Sequence, residues 1–443
     1  MIGGQRRAFG VTLYGLDDRG LVARKRLDWD GIEGVLYRAR VLTKDPSLGG
    51  WFVDIAGAEP LFVKETRSTR HWQEGSLVVV QGSREPDDDK SGRATAEIRL
   101  RGSGLDLTPM AGQPEVEAHL PKDQRRQLLT RLRALAGDQG LVAKAEAASI
   151  DDDRLLRTAE ELQNFWANLR GAAESAMRPG AVTGFDQRVS STLADMTGRF
   201  GFRLVCDRSD RLAFSKWCER DPLTAAIAVD QTDEPLADAL GITDDLADLE
   251  KSSISLPGGG LLHVRATRAC FTADVDSAGA RDRSAVNAEA IRALARQVAL
   301  ADIGGLILVD FLPLTNRAQR DALEKAVLQA LAVFAPDARL RRLDQDGVAL
   351  LERPRPAQGS WSRDQMSCPL CDGTGERPSP RRALEDLIDR LAEQPRQEPR
   401  IALPAPLYAW ATGRGRNLVD RALASYGLTI RFERQSEQPG EPS

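Results

Sequence analysis

The chain has 443 residues, of which 42% are hydrophobic and 28% charged, an ordinary composition for a soluble protein with several cores. Its net charge of −4 excludes a uniformly basic surface, so a polyanion-binding face must come from local clustering. No apolar run reaches the roughly 18 residues that a membrane span needs, and no signal peptide is evident. Because five cysteines do not make a secreted disulfide framework, we expect a cytoplasmic protein.

The first third of the chain is predicted to change from strands to helices. Residues 8–29 read as short strands around a polar turn, and a β-rich block from about 32 to 107 contains several apolar runs at close spacing. This spacing predicts a small barrel. From about residue 121 the hydrophobic period becomes helical, and Ser149 is the expected cap of a long helix from about 150 to 177.

The second half of the chain alternates between helices and strands. The predicted elements are helices at 286–301, 316–334, 379–393 and near 416–425, and strands at 305–310, 339–343, 347–352 and 428–433. A strand between two amphipathic helices is typical of an α/β layer.

Aspartates stand at the ends of two predicted strands. Asp274 and Asp276 lie two residues apart in a strand-like run, so both face one side of it, and Asp310 stands at the exit of the strand at 305–310. If the two strands are neighbours, Asp274 and Asp310 can hold one Mg²⁺, a hard cation that binds carboxylate and water oxygens. The alternative is that these are three of the 65 acidic residues in an ordinary solvated loop.

Cys368 and Cys371 form a Cys-x-x-Cys motif that is followed by two glycines. Two thiolates are half of a tetrahedral Zn²⁺ site, and the chain contains no second motif of this kind. A second copy of the chain can supply the missing ligands, which predicts a homodimer that shares one zinc ion. The alternative is a surface pair of thiols.

Two aromatic residues are candidates for nucleic-acid binding. Phe52 and Phe62 lie on two predicted barrel strands, near several basic residues, and Lys90 is a further basic candidate. On an OB-type barrel, aromatics stack on unpaired bases while basic side chains follow the phosphates. The alternatives are that both phenylalanines are core residues and that Lys90 is a plain solvated charge.

In combination and order, these motifs resemble the ribonuclease E/G family of bacterial endoribonucleases. The barrel segment 34–63 resembles the S1-type domain of the family. The segments 256–259, 274–278 and 302–311 resemble its catalytic domain, and 368–375 resembles its zinc link. The resemblance is to a short form without the long C-terminal scaffold.

The resemblance implies a multidomain α+β fold in which two segments are inserted into the first domain. The expected parts are an RNase H-like domain (1–31 and 178–258), an S1-type OB-fold RNA-binding domain (32–107), a 5′-sensor segment (108–177), a DNase I-like α/β catalytic domain (259–360), a zinc link (361–378) and a small C-terminal domain (379–443).

The resemblance also implies an activity, which is Mg²⁺-dependent hydrolysis of single-stranded RNA to 5′-phosphate and 3′-hydroxyl ends. Asp274 and Asp310 fall on the two aspartates that hold the catalytic Mg²⁺. Asp276 stands where the family usually has asparagine, and it is expected to orient or supplement the metal.

The same family pattern implies the RNA and zinc contacts. Phe52, Phe62 and Lys90 fall on or near positions that grip RNA. Cys368 and Cys371 fall on the zinc link between the two chains of a homodimer, and whether dimers pair into tetramers stays open.

One departure from the family affects the recognition of RNA 5′ ends. The family's Arg-Thr pair aligns with Lys144-Ala145, which keeps a basic RNA contact at Lys144 but loses a hydroxyl and a bidentate guanidinium. The sensing arginine of the catalytic domain would fall within 344–347, which contains no arginine. We therefore expect weak 5′-monophosphate sensing. These departures also favour the competing hypothesis, a diverged RNA-binding paralogue with little or no nuclease activity.

Overall fold

The computed structural model describes residues 1–86, 91–117, 120–136, 140–249, 251–267, 269–354, 379–393 and 400–435. The chain divides into two compact units, Met1–Asp364 and Gln365–Ser443. Within the described ranges, no helix combines the length and the apolar character that crossing a membrane requires.

The strands, in chain order, are β1 (Ile2–Arg7), β2 (Gly10–Asp17), β3 (Gly20–Asp28), β4 (Leu36–Asp45), β5 (Gly50–Asp54), β6 (Leu61–Lys64), β7 (Leu77–Arg84), β8 (Arg93–Thr95), β9 (Leu100–Arg101), β10 (Leu105–Leu107), β11 (Glu115–Val116), β12 (Leu141–Ala143), β13 (Gly180–Ala181), β14 (Arg203–Asp207), β15 (Ala228–Thr232), β16 (Ser253–Ser255), β17 (Leu261–Ala266), β18 (Phe271–Asp276), β19 (Gly305–Asp310), β20 (Arg339–Leu343), β21 (Val348–Arg353), β22 (Arg400–Leu403) and β23 (Arg431–Arg434).

The helices are α1 (Lys122–Ala136), α2 (Asp152–Ser175), α3 (Phe185–Phe200), α4 (Arg211–Arg220), α5 (Leu236–Ala239), α6 (Thr243–Asp248), α7 (Arg283–Leu300), α8 (Arg317–Phe334), α9 (Pro380–Ala392), α10 (Ala405–Thr412) and α11 (Arg416–Ser425). Short 3₁₀ helices lie at Arg67–Thr69 and Ala145–Ser149.

A five-stranded sheet combines two distant parts of the chain. Its order is β15-β14-β1-β2-β3. The three N-terminal strands are antiparallel to one another, and β1 pairs in parallel with β14, which lies about 200 residues later in the chain. Helix α3 covers this sheet because Val189, Leu193, Met196 and Phe200 repeat at helical spacing and are all buried. The segments between β3 and β14 are therefore insertions between two parts of one sheet.

The segment between β4 and β8 forms a closed five-stranded barrel, which confirms the barrel predicted from the strand spacing. The ring runs β4-β5-β6-β8-β7 and closes through the antiparallel pair of β4 and β7. Strand alternation decides which side chains fill it: Trp51 and Val53 are buried inside, whereas Phe52 between them is half-buried and faces outward.

The segment after the barrel forms a small sheet, β11-β12-β10-β9, against helices α1 and α2. The prediction that Ser149 caps the long helix is wrong. Asp151 is the cap, and its carboxylate accepts a hydrogen bond of 2.9 Å from the Arg154 amide. Ser149 instead ends the preceding 3₁₀ helix, where its hydroxyl donates to the Glu146 carbonyl. An aspartate at this position also complements the helix dipole.

The last sheet of the first unit has six strands in the order β16-β17-β18-β19-β21-β20. Strands β18 and β19 are parallel and are joined through α7, which forms a β-α-β crossover. Helices α7 and α8 pack on one face, against the buried Ala273, Val275, Ile307 and Val309. The opposite face carries no helix of this core and exposes Leu306 and Leu308.

The described part of the second unit is a small α+β core. Helices α9, α10 and α11 pack around Leu384, Ile388 and Leu423 beside the parallel pair of β22 and β23. The helices predicted at 379–393 and 416–425 are present, but the last strand covers Arg431–Arg434 rather than 428–433. The short elements β22 and α10 carry too little periodicity to be predicted.

Candidate active site

The register of two parallel strands places Asp274 directly beside Asp310. Adjacent strands lie about 4.8 Å apart, and paired residues of a parallel ladder project to the same face. Both aspartates are exposed, on the face of the sheet that α7 and α8 leave open. The condition set by the sequence, that the two strands be neighbours, is therefore met.

This acidic pair has no protein counter-charge. Neither carboxylate forms an ion pair or a hydrogen bond with another residue that the structure describes. Two like charges side by side are unfavourable unless a cation compensates them. The chemistry of the pair thus suits a hard divalent ion, which one or two carboxylates and several waters can hold.

Asp276 is on the same face but beyond the end of the parallel ladder. It pairs with Leu261 of β17, whereas the pairing of β18 with β19 ends at Asp310. One of its oxygens accepts a hydrogen bond of 2.8 Å from the Ala278 amide, in a turn where Ala278 has φ 45°. Within the described ranges, no three His, Cys, Asp or Glu residues are grouped as a metal site. Asp276 therefore lies beside the pair rather than within it.

Buried polar contacts fix the chain on either side of Asp310. The amide of Asn287, on α7, donates to the Leu312 carbonyl at 3.0 Å and accepts from the Leu312 amide at 2.9 Å. The Phe311 amide donates to the carbonyl of Gly347, whose φ of 100° favours glycine. Asn287 is thus a positioning residue, because its two hydrogen bonds tie the strand exit to the helix behind it.

A histidine that sequence reasoning left out lies next to the acidic pair. His263 of β17 is the antiparallel partner of Asp274, on the side away from Asp310. Side chains directly opposite each other have Cβ atoms about 5 Å apart. The alternation of buried Leu262 and Val264 around His263 was the available signal, since it puts the imidazole on the open face. A histidine there can exchange a proton or a hydrogen bond with a bound anion.

The two barrel phenylalanines form one aromatic surface. Phe52 and Phe62 are cross-strand partners whose ring centroids lie 5.6 Å apart in an edge-to-face arrangement. Both are half-buried on the outside of the barrel, so neither belongs to its core. The guanidinium of Arg93 lies 5.9 Å from the Phe62 centroid. Lys90 lies outside the described residues.

A glycine sets the position of one of these rings. A Cβ on Gly50 would come 2.4 Å from the tip of the Phe62 ring, which therefore needs a glycine beneath it. The Phe62 ring thus reaches over Gly50 of strand β5, and Phe52 and Phe62 are both partly exposed. The Phe52–Phe62 surface, with Arg93 beside it, is the described candidate for base stacking.

Lys144 does not face solvent as an RNA contact would. Its side chain is 9% exposed, and its ammonium lies 2.9 Å from the Asp106 carboxylate and 2.8 Å from the Gly102 carbonyl. It also pairs with Asp195. The Lys144 ammonium is thus occupied by three protein oxygens.

Mutual charge effects hold this cluster in its ionised form. Burial works to raise the pKa of Asp195, but the charges of Lys144 and Arg101 outweigh burial and lower that pKa to about 2. Burial likewise works to lower the pKa of Lys144, but Asp195 and Asp106 raise it above the usual lysine value. The Lys144–Asp106–Asp195 cluster is therefore ionised at neutral pH, with Lys144 and Asp106 buried and Asp195 partly exposed.

Cys368 and Cys371, the predicted zinc ligands, lie outside the described residues. The three cysteines at positions 206, 218 and 270 are free thiols. The structure thus brings Asp274 and Asp310 together with Asp276 beside them, pairs Phe52 with Phe62, and places Lys144 in a separate buried cluster.

Comparison with known proteins identifies the family. The model of the ribonuclease E/G family matches residues 100–348, which is more than half of the chain. Ribonuclease E of Nostoc sp. is 28% identical over 389 residues, which cover 81% of this chain and 56% of that protein. Ribonuclease E of Escherichia coli is 23% identical over 427 residues, or 87% of this chain and 40% of that protein.

Ribonuclease G of Escherichia coli is 22% identical over 379 residues, which cover 78% of this chain and 77% of that protein. The chain spans about half the length of the first ribonuclease E relatives that it matches. The residues that the family model matches include the segment after the barrel and the six-stranded sheet up to Val348. The chain therefore belongs to the ribonuclease E/G family.

Proposed function

We propose that this protein is an endoribonuclease that hydrolyses single-stranded RNA, in RNA processing or decay, and leaves 5′-phosphate and 3′-hydroxyl ends. The observation that carries the proposal is the register of Asp274 with Asp310, two carboxylates on an open sheet face that have no counter-charge among the residues the structure describes. Several relatives bear the printed name ribonuclease E or ribonuclease G, which supports the same reaction class.

Asp274 and Asp310 are the residues that would hold a Mg²⁺ ion, and Asp276 would orient or supplement it. When bound, Mg²⁺ supplies an acidified water and offsets the charge that develops on the phosphate. The protein's own part is to keep two carboxylates adjacent through strand pairing and to fix Asp310 through Asn287. Because the surrounding face is open, an extended RNA strand can reach the pair.

RNA binding is assigned to the barrel. Phe52 and Phe62 offer ring surface to unpaired bases, Arg93 lies beside them, and Lys90 is retained from the sequence pattern. The five-stranded sheet, the barrel, the segment after it and the six-stranded sheet correspond to the RNase H-like, S1-type, 5′-sensor and DNase I-like parts. Lys144 is left out of the RNA contacts because its ammonium is buried against carboxylates.

Sensing of the RNA 5′ end is proposed to be weak. A 5′-phosphate needs free cationic donors, and the cation at the aligned position already pairs with Asp106 and Asp195. An incoming dianion would also meet two carboxylates, which repel it. The loop at 344–347 contains no arginine that could replace the lost donor.

A homodimer through a shared structural Zn²⁺, held by Cys368 and Cys371 of each chain, completes the proposal. Its support is the Cys-x-x-Cys motif, which supplies two of the four ligands that a structural zinc site needs. Whether such dimers pair further into tetramers is left open, and a cytoplasmic location is proposed because thiolate zinc ligands persist in reducing compartments.

The test is a fluorogenic single-stranded RNA incubated with the full chain and Mg²⁺, and then with EDTA. Cleavage that stops on chelation supports the nuclease. The second candidate is a diverged RNA-binding paralogue, which the filled Lys144 cluster and the extra carboxylate of Asp276 favour. Tight RNA binding without metal-dependent cleavage would establish that candidate and overturn the nuclease.

A further inference from the structure

A cavity of about 250 Å³ lies where several parts of the first unit meet. Its walls come from strand β3, from the barrel strands β4 and β7, from β9 and α2, from α3, and from the end of β21. Neither Asp274 and Asp310 nor Lys144 and Asp106 belong to its lining. The cavity is therefore separate from the acidic pair, and it adjoins the Lys144 cluster through Arg99 and Arg101, which line the cavity and pair with Asp106 and Asp195.

The lining is strongly cationic, with seven basic side chains against three acidic ones. Two of the acids, Asp302 and Asp337, are neutralised by Arg353, whose guanidinium pairs with them at 3.2 Å and 2.9 Å. The third, Glu33, lies only within 3.8 Å of Arg101. Arg26 and Arg99 are paired as well, with Asp28 and Asp106 outside the lining. The lining cations without an ion pair among the described residues are Arg24, Lys25 and Arg188.

Arg188 gives the clearest sign of a missing anion. It is 5% exposed, and its donors Nε and Nη1 are spent on the carbonyls of Glu33 and Asp28, both at 2.8 Å. Its Nη2 is buried and has no hydrogen-bond partner in the part of the chain that the structure describes. Because a buried guanidinium without a carboxylate partner is costly, the site gains if an anion meets that nitrogen.

Two further cations on β3 also lack an anionic partner among the described residues. Arg24 has a buried Nε without a hydrogen-bond partner among the described residues, and Lys25 forms no ion pair with them. Both are only partly buried, so they can reach a ligand without being required by the core. Guanidinium and ammonium groups together are the side chains that bind phosphate.

The rest of the lining suits an uncharged ring. Phe165 and Leu169 of α2 and Leu300 of α7 supply an apolar wall opposite neutral polar groups such as Ser191. Small-molecule sites combine such apolar surface with a few fixed polar groups. The volume approaches that of the smaller ligand pockets, which begin at about 300 Å³.

We propose that this cavity binds a phosphate-bearing ligand of mononucleotide size, with the phosphate at Arg188, Arg24 and Lys25 and the base against Phe165 and Leu169. The ligand is a free mononucleotide. Because its walls come from different sheets, occupancy would join them and stabilise the first unit. The proposal does not depend on the nuclease activity.

The test is calorimetric titration of the full chain in EDTA, so that no cleavage occurs. The probes are adenosine 5′-monophosphate, adenosine, and an RNA trinucleotide with or without a 5′-phosphate. Arg24→Gln with Lys25→Gln is the test variant, and Lys25→Gln alone is a milder second variant. Arg203→Gln with Arg208→Gln removes the same charge from exposed ion pairs outside the cavity and is the control.

We expect a phosphorylated probe to bind with a Kd below about 1 mM and its unphosphorylated counterpart at least about tenfold more weakly. The double variant should weaken that binding about tenfold, the single variant less, and the control variant not at all. Binding of the monophosphate supports the proposal, whereas binding of the phosphorylated trinucleotide alone would assign the cavity to an RNA end and overturn it. Phosphate-independent affinity, absence of binding by every probe, or full affinity in the double variant would overturn the proposal.

Discussion

Lys144 and Asp106 form an ion pair of 2.9 Å that is almost completely buried, with side-chain exposures of 9% and 3%. Asp195 closes the same cluster from α3. Under the proposed alignment of Lys144 with the family's 5′-sensing position, the Lys144 ammonium contacts Asp106 in place of an RNA phosphate. This relationship, rather than the lysine alone, is the physical reason to expect altered 5′-end behaviour.

Cleavage should depend little on the chemical state of the RNA 5′ end. Two substrates of identical sequence, one with a 5′-phosphate and one with a 5′-hydroxyl, should be cut at rates that differ by less than about tenfold, or roughly 1.4 kcal/mol. Initial rates followed with a 3′ label measure the ratio. A preference for the phosphate well above tenfold would show that the cluster opens to the RNA.

Lys144→Met should destabilise the protein, because it removes the buried cation that contacts both Asp106 and Asp195. Arg99 remains 2.6 Å from Asp106 and Arg101 3.9 Å from Asp195. We therefore expect a loss of no more than about 3 kcal/mol at neutral pH, the lower end of the cost of removing one partner of a fully buried pair. Urea unfolding followed by circular dichroism measures the loss. Arg203→Met, which breaks an exposed pair with Asp230, is the matched control and should change the free energy of unfolding by less than about 1 kcal/mol.

The pH dependence of that destabilisation follows from the lowered pKa of Asp195. A carboxyl whose folded-state pKa is about 2, against about 3.9 in the unfolded chain, stabilises the fold above pH 4. This contribution is lost as the pH falls from about 4 towards 2. The difference in the free energy of unfolding between wild type and Lys144→Met should therefore be largest at pH 7. It should become smaller as the pH falls through 4. A difference in the free energy of unfolding that grows at acidic pH would contradict the lowered pKa of Asp195.

Phe62→Ala should weaken the binding of single-stranded RNA by roughly tenfold, because one stacked base contributes about 1–3 kcal/mol. Fluorescence anisotropy with a labelled oligonucleotide in EDTA measures the affinity without cleavage. Phe9→Ala removes a phenylalanine that is 76% exposed and far from the barrel surface in sequence, and it should bind as wild type does. Equal affinities for Phe62→Ala and wild type would remove this ring from the interface.

The sequence predicted the parts of the site that follow local rules. Alternation put Asp274 and Asp276 on one strand face, and the apolar run ending at Asp310 fixed the strand exit. Alternation would also have placed His263 on the same sheet face as Asp274. That the two residues are direct neighbours depends on the pairing of β17 with β18, which local sequence does not encode.

Features that depend on long-range packing were not predictable. Lys144 meets Asp195 across 51 residues, and the guanidinium of Arg188 meets the carbonyl of Asp28 across 160. Ser149 was preferred over Asp151 as a cap because both residue types are good N-caps and boundaries depend on local backbone geometry. Such choices are decided by tertiary contacts that no local pattern contains.

Zinc content tests the proposed assembly. Freshly purified protein should contain one Zn²⁺ per two chains by elemental analysis, and Cys371→Ser should yield monomers in light scattering, because half of a four-ligand site cannot hold the metal. Cys270→Ser, a change outside the motif, should leave the dimer intact. Protein without zinc, or a Cys371→Ser dimer, would end the idea of a shared site.

The most direct test of the catalytic assignment compares wild type with Asp310→Asn on a fluorogenic single-stranded RNA in Mg²⁺, with RNA affinity measured in parallel. Asparagine keeps the shape of the side chain but removes one charge of the Asp274–Asp310 pair, so cleavage should disappear while RNA affinity stays. Asp321→Asn, on the exposed side of α8, should cleave normally. Undiminished turnover by Asp310→Asn would contradict a metal site at this pair.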